Sequence, residues 1–271
     1  MDNFDSFWAY MKALARTISI EREKELYLCE ADVGKKDLVI ILNGPSAGRS
    51  VDSIKDHKNC EYMCVNWAPC DKGLFWDVKP KYLCIIDSSF FDKNGKYKEK
   101  CNELEKILCN RIDWNMDFLH FPTQHMEYNR EYITEYLINN NIFNSINKYD
   151  AIKKYEKNRM SCEMYSVGHA AIYAGLILGF KSIYVYGLDA DMFKNYCVDD
   201  RNHVIEKTMH YYGVDECDWT ETAGCKGIDI LLENDVKAFR MYRVINKLAE
   251  SMDANIYNCN KESMVDAFQK I

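Results

Sequence analysis

The chain predicts an α/β fold: one domain on a central, mostly parallel sheet, with helices on both faces and one polar excursion. Three observations predict it. Unbroken apolar runs at 38–42, 62–65, 82–86 and 183–186 read as short strands buried on both faces. Segments with helical spacing of apolar residues separate them, and strands alternating with helices imply parallel pairing through crossovers. Two of the strands end in tight turns, Asn43-Gly44-Pro45-Ser46 and Gly187-Leu188-Asp189. In open α/β sheets ligands bind where such strands end.

Residues 1–30 read as an additional amphipathic helix. Phe4, Phe7, Trp8, Met11, Leu14, Ala15 and Ile18 recur at helical spacing, with Lys12, Arg16, Glu21 and Arg22 elsewhere. A helix packed on the body, an oligomer contact and a contact at a membrane surface all fit that pattern. Residues 31–271 form the main domain. Its first strand, 38–42, is followed by one at 62–65 ending in Asn66-Trp67-Ala68-Pro69, and one at 82–86 ending in Asp87-Ser88-Ser89. Residues 101–108 read as a helix, 118–121 as a strand, and 131–139 and 151–156 as helices. The segment 167–178 is a helix rich in Ala and Gly, suited to close packing on a sheet, and it leads into the strand at 183–186. Residues 190–225 are polar, with Gly, Asp, Asn and Thr throughout. They read as an excursion or lid, because a long loop without structure of its own is usually functional. A long helix at 229–252 and a short strand at 255–258 close the domain.

Composition narrows the function. The 271 residues are 48% hydrophobic, enough for a sizeable core, and the net charge of −7 argues against nucleic acid as the main partner. The twelve cysteines are scattered, many inside apolar runs, and no Cys-x-x-Cys pair exists. Reduced thiols in a cytoplasmic protein are therefore expected, and a zinc site is not. The N-terminus is acidic with no apolar stretch behind it, so no secretory leader is expected. The longest uncharged apolar stretch, 167–180, is too short to span a bilayer.

Candidate chemistry gathers at strand ends. Gly44 lets the backbone approach a ligand, Pro45 fixes the turn, and Ser46 can cap the next helix, whose amide end attracts phosphate. The turn is not Gly-x-Gly-x-x-Gly and carries no Walker lysine, which counts against dinucleotide and P-loop sites. Asn66 and Asp87 follow the next two strands and converge with Asn43 on one crevice. Ser166-Val167-Gly168 opens the small-residue helix. There Ser166 is either an N-cap only or part of a phosphate site. Asp189-Ala190-Asp191 could hold a divalent ion, or Asp189 could accept a ribose hydroxyl. His210-Tyr211-Tyr212-Gly213 lies in the excursion. A histidine suits a general base at neutral pH, and nearby tyrosine hydroxyls could bind a leaving phosphate.

In order, these residues resemble the bacterial sialyltransferases of the Campylobacter lipooligosaccharide type. The resemblance covers most of 37–268. It is carried by Asn43 to Ser46, Cys64 to Asn66 with one residue inserted, Asp87 to Phe91, Ser166 to Asp189, His210 to Gly213, and Tyr257, Cys259, Ser263 and Phe268. It implies a single Rossmann-like nucleotide-sugar-binding domain with a lid at about 190–225, and His210 as general base. It further implies inverting transfer of sialic acid or a related sugar from a CMP-activated donor to a glycan acceptor, without an essential metal. Asn43, Gly44, Asn66, Ser166 and Asp189 would hold the CMP moiety. The chain departs from the pattern at three places. Met164 stands where the family has Arg, and Arg159 could substitute only across an insertion. The two phosphate-binding tyrosines of the family fall near Asp191 and Cys197, with Tyr196 close by. The first 30 residues are additional. Pterin pyrophosphokinase-like proteins share the Gly-Pro-Ser turn and the Gly-x-Asp strand end, and would bind Mg through Asp189 and Asp191. A nucleotide-binding or assembly protein without chemistry is the other alternative.

Overall fold

The computed structural model describes residues 26–27, 33–71, 73–120, 126–138, 164–210, 213–225 and 227–271. In chain order these form β1 (Leu26–Tyr27), β2 (Asp37–Ile41), α1 (Pro45–Arg49), α2 (Val51–Lys55), β3 (Cys60–Val65), α3 (Leu74–Val78), β4 (Tyr82–Cys84), α4 (Lys98–Asn110), β5 (Met116–His120) and β6 (Ile133–Leu137). There follow α5 (Val167–Ile177), β7 (Ser182–Tyr186), β8 (Tyr196–Val198), β9 (Val204–His210), β10 (Gly213–Asp218), α6 (Trp219–Ala223), α7 (Ile228–Ser251), β11 (Asn255–Asn258) and β12 (Gln269–Lys270). The main sheet has nine strands in the order β1-β6-β5-β4-β3-β2-β7-β11-β12. Every neighbouring pair in it is parallel.

Strand β2 explains why its sequence is apolar without alternation. Leu38 and Ile40 face one cluster with α5 and α7, while Val39 and Ile41 face another with α1 to α4. All of Leu38, Val39 and Ile40 are fully buried, and each such side chain contributes roughly 1.5–3 kcal/mol of burial. The small residues of α5 serve the same packing. A Cβ on Gly175 would lie 2.5 Å from Leu38 Cδ2, so the glycine lets the helix sit directly on β2.

Three sequence expectations need correction. The helix expected at 131–139 is not found in the described residues 131–138: β6, Ile133–Leu137, runs there in parallel register with β5, Met116 opposite Ile133. A five-residue segment at the flank of a sheet takes its conformation from the neighbouring strand, against weak local propensity. Within the expected N-terminal helix, Leu26 and Tyr27 are strand β1, paired with β6; residues 1–25 and 28–32 lie outside the described residues, as does the helix expected at 151–156. The excursion at 190–225 is not structureless. Strands β8, β9 and β10 form a three-stranded antiparallel sheet, with Met209 opposite Val214 and His210 opposite Gly213. Its apolar contribution is small: Val204 packs with Cys225 and Leu231, and Ile205 beside it is also buried.

This small sheet stands at the C-terminal edge of the main one. It leaves the end of β7, and Lys96 Nζ, in the loop after β4, donates to the Glu216 carbonyl at 3.1 Å. The excursion therefore touches the loop that follows β4.

Candidate active site at the strand switch

After β2 the chain builds β3 to β6 outward on one side, then returns to place β7 on the other. The switch between β2 and β7 is where an open α/β sheet forms a crevice. There the two strand ends are locked together. Gly44 N–H donates to the Gly187 carbonyl at 3.1 Å, and Gly187 has φ +73°, a left-handed turn suited to glycine. Asp189 Oδ2 accepts from the Ser46 amide at 3.2 Å and its hydroxyl at 3.1 Å, while Oδ1 accepts from Asn260 Nδ2 at 2.6 Å. Any Cβ on Gly44 would overlap Asp189 Oδ2 and the Gly187 oxygen.

This corrects the role read for Ser46. The N-cap of α1 is Gly44 with no side-chain cap, and Pro45 takes the first helical position. The positive end of this five-residue helix already holds an anion, the Asp189 carboxylate. Asp189 thus joins β2, β7 and the segment after β11. Asp191 pairs instead with Lys194, 3.5 Å away.

Three polar groups at the C-terminal ends of the parallel strands lack partners among the described residues: the acceptors Asn43 Oδ1 and Asn66 Oδ1 and the donor Asn258 Nδ2, all shielded from solvent. Asn43 is only 9% exposed. Asn66 holds φ +54°, a conformation asparagine tolerates better than most residues, and its amide N–H is fixed on the Cys84 carbonyl at 3.1 Å. A buried unsatisfied acceptor costs about 1–3 kcal/mol, so two of them following adjacent strands mark a place that receives donors.

The start of α5 lies beside them. A Cβ on Gly168 would touch Leu42 Cδ1 at 3.2 Å and Tyr242 OH at 3.0 Å. Ser166 is the N-cap, and Val167 opens the helix. The Ser166 hydroxyl lies 2.9 Å from His169 Nδ1 and 3.2 Å from Tyr242 OH. Burial pushes the fully enclosed His169 imidazole down to about 4. Sequence reading missed this group. The three-residue spacing of Ser166 and His169 is a capping-box signature in which His replaces the usual Glu, but nothing local points to Tyr242.

The remaining expected residues are dispersed. Asp87, after β4, is exposed and caps the following turn, accepting from Ser89 N–H at 2.8 Å. The Tyr196 phenol is hydrogen-bonded to Asp235 of α7, and burial raises its pKa. Met164 is half-buried against the core. Arg159 and Tyr211 lie outside the described residues. His210 ends β9, on the same face as Val204, Glu206 and Thr208 by strand alternation. That face turns toward the body: Val204 packs with Leu231, and Glu206 accepts from Trp219 Nε1 at 2.6 Å.

Two further histidine clusters stand apart. His120, at the end of β5, is buried with Nε2 2.6 Å from Glu135 Oε1, and Tyr128 OH donates to Glu135 Oε2 at 3.1 Å. His203, Asp218 and Glu221 have metal-like spacing. However, Arg201 lies 3.6 Å from Asp218 and 3.5 Å from Glu221, and so supplies the positive charge there. All ten described cysteines are free. No helix among the described residues is long and apolar enough to cross a membrane.

No family model and no curated protein matches the chain. Among solved structures it is similar to the sialyltransferase CstII from Campylobacter jejuni in complex with a substrate analogue, at 14% identity over 87% of this chain and 85% of that one, TM-score 0.47. It is also similar to CstII with a trisaccharide acceptor and CMP, at 15% identity over 87% and 86%, TM-score 0.49. A third similar structure is an α-2,3-sialyltransferase from Campylobacter jejuni in apo form, at 15% identity over 90% and 82%, TM-score 0.45.

Proposed function

We propose that the chain is a sialyltransferase-like glycosyltransferase, taking a sugar from a CMP-activated donor and passing it to a glycan hydroxyl. The observation that carries this reading is the pair of unsatisfied acceptors, Asn43 Oδ1 and Asn66 Oδ1, after neighbouring strands at the switch point. A nucleotide offers donors there, from ribose hydroxyls and a base amino group, and the amide end of α5 adds a positive terminus for phosphate. The order of motifs from Asn43 to Phe268 supports a CMP-sugar over other nucleotides.

In this reading His210 takes the proton from the acceptor hydroxyl as its oxygen attacks the anomeric carbon. The bond from that carbon to the phosphate oxygen breaks with inversion, and CMP leaves with the electron pair. The small antiparallel sheet covers the strand ends and limits access of water to the donor. The protein works in the cytoplasm and needs no metal.

The test is transfer from CMP-sialic acid to a set of oligosaccharides, read by product mass, with wild type and His210→Ala. Transfer by wild type, reduced about 10²–10⁴-fold in the variant with CMP affinity unchanged, supports the reading. Loss of CMP binding in His210→Ala overturns the base assignment. Transfer only with ATP and Mg²⁺ overturns the reaction class.

A further inference from the structure

We propose that the small antiparallel sheet docks on α7 through a proton-binding joint: Asp235 takes up a proton when the sheet is seated, so the seat loosens as the pH rises. The joint itself does not depend on the reaction proposed above. Its consequence for transfer does, because the same sheet carries His210.

Three contacts seat the sheet on the first turns of α7. Val204 of β9 packs with Leu231. Phe193, just before β8, meets Phe239 with ring centroids 6.3 Å apart. The Tyr196 phenol of β8 is hydrogen-bonded to the Asp235 carboxyl. Tyr196 stands directly opposite Glu206 in the sheet, so a second acidic side chain reaches the same place. Glu206 is only 5% exposed. Its Oε1 accepts from Thr208 Oγ1 at 2.6 Å and its Oε2 from Trp219 Nε1 at 2.6 Å. That arrangement suits the ionised form, which only accepts.

Asp235 has no such arrangement. Its Oδ2 is shielded from solvent and has no partner among the described residues. No lysine, arginine or histidine pairs with either carboxyl group among the described residues. Lys237 of α7 pairs with Glu233 at 3.2 Å, and Lys194 before β8 with Asp191 at 3.5 Å. The titratable groups that face Asp235 from the sheet are Tyr196 and Glu206. A carboxylate enclosed there loses hydration and meets a like charge, with no cation to offset either. A proton on Oδ2 removes both costs and leaves the other oxygen to Tyr196. Burial accordingly raises the Asp235 pKa; the Tyr196 bond lowers it and the Glu206 charge raises it.

When the sheet lifts, Asp235 meets water and behaves as an ordinary carboxyl group. The docked state therefore binds the proton more tightly. Docking is strongest at low pH, weakens as the pH rises through the docked-state pKa, and is constant above it. A tyrosine–carboxylate bond with no second carboxyl group beside it would give the opposite slope.

Solvent exchange of the Trp219 indole N–H reads the joint, because that proton sits on Glu206. It is measured by NMR on the full chain from pH 5 to 7.5 and divided by the exchange rate of free tryptophan at each pH. Wild-type protection should fall by at least about threefold over this range. Asp235→Asn keeps an oxygen for Tyr196 and carries no charge, so its protection should be level with pH and exceed that of wild type at pH 7.5. Tyr196→Phe removes the bond that favours the carboxylate, and its protection should fall more steeply. Wild-type protection that stays level or rises with pH overturns the proposal. So does Asp235→Asn with the wild-type slope, or with less protection than wild type at pH 7.5, which would mean that the carboxylate itself holds the sheet. With CMP-sialic acid, donor hydrolysis relative to transfer should rise with pH in wild type and stay level in Asp235→Asn. The expected exchange without any transfer would sink the sialyltransferase-like reading and leave the joint standing.

Discussion

The Ser46 hydroxyl and amide both donate to Asp189 Oδ2, at 3.1 and 3.2 Å, across 143 residues of sequence. This contact closes the turn after β2 onto the end of β7. It places a carboxylate at the start of α1, where an external phosphate would otherwise fit. Gly44 is the residue that permits it. Gly44→Ala should cost roughly 1–3 kcal/mol, the usual penalty for overpacking, and Asp189→Ala a similar amount through lost charge-assisted hydrogen bonds. Urea denaturation checks both. Variants with wild-type stability would mean that the turn is not closed by this contact.

Asn43 and Asn66 should behave in the opposite way. Their side-chain oxygens have no partner among the described residues, so removing them should leave apo stability unchanged or raise it by up to about 1–3 kcal/mol. Asn66→Gly is the cleaner variant, because glycine adopts the left-handed conformation without strain. Both Asn43→Ala and Asn66→Gly should weaken CMP binding about tenfold by calorimetry, the effect of one lost hydrogen bond plus imperfect refilling. Full affinity in either variant would remove that residue from the site.

His169 makes stability depend on pH. Its folded-state value, about 4, lies below the ordinary 6.5, so between these values the unfolded chain binds the extra proton. Stability is then complete above about pH 6.5 and falls as the pH drops toward 4. The total loss is roughly 3 kcal/mol from this group. His169→Asn should flatten that part of the curve. Denaturation at four pH values from 4.5 to 7.5 measures the slope, and equal slopes in wild type and variant would contradict it.

Divalent metal should be dispensable for transfer. The Asp189 carboxylate is bound by Ser46 and Asn260 through both oxygens, and Asp191 lies beside Lys194. Transfer rates should agree within twofold in EDTA and in Mg²⁺, and Asp191→Asn should leave CMP affinity unchanged. A rate that collapses in chelator would return these two carboxylates to the chemistry.

The sequence by itself determined the layered α/β class, six of the strands and two long helices, the strand-end positions of Asn43, Asn66 and Asp189, and Ser166 at a helix start. Those features are local. A strand buried on both faces must be apolar without alternation, and a tight turn must carry glycine or a short polar side chain. The tertiary structure decided what the local pattern left open. Residues 133–137 became strand because β5 offers a parallel partner. The polar excursion became a sheet because one face finds Leu231. Asp189 became a tie between strands because Ser46 and Asn260 converge on it. Asn43 and Asn66 stand out because no such partner among the described residues reaches their side-chain oxygens. Pairing partners far apart in sequence leave no periodic signal in either segment, so whether a polar side chain is satisfied internally or left for a ligand is written only in three dimensions.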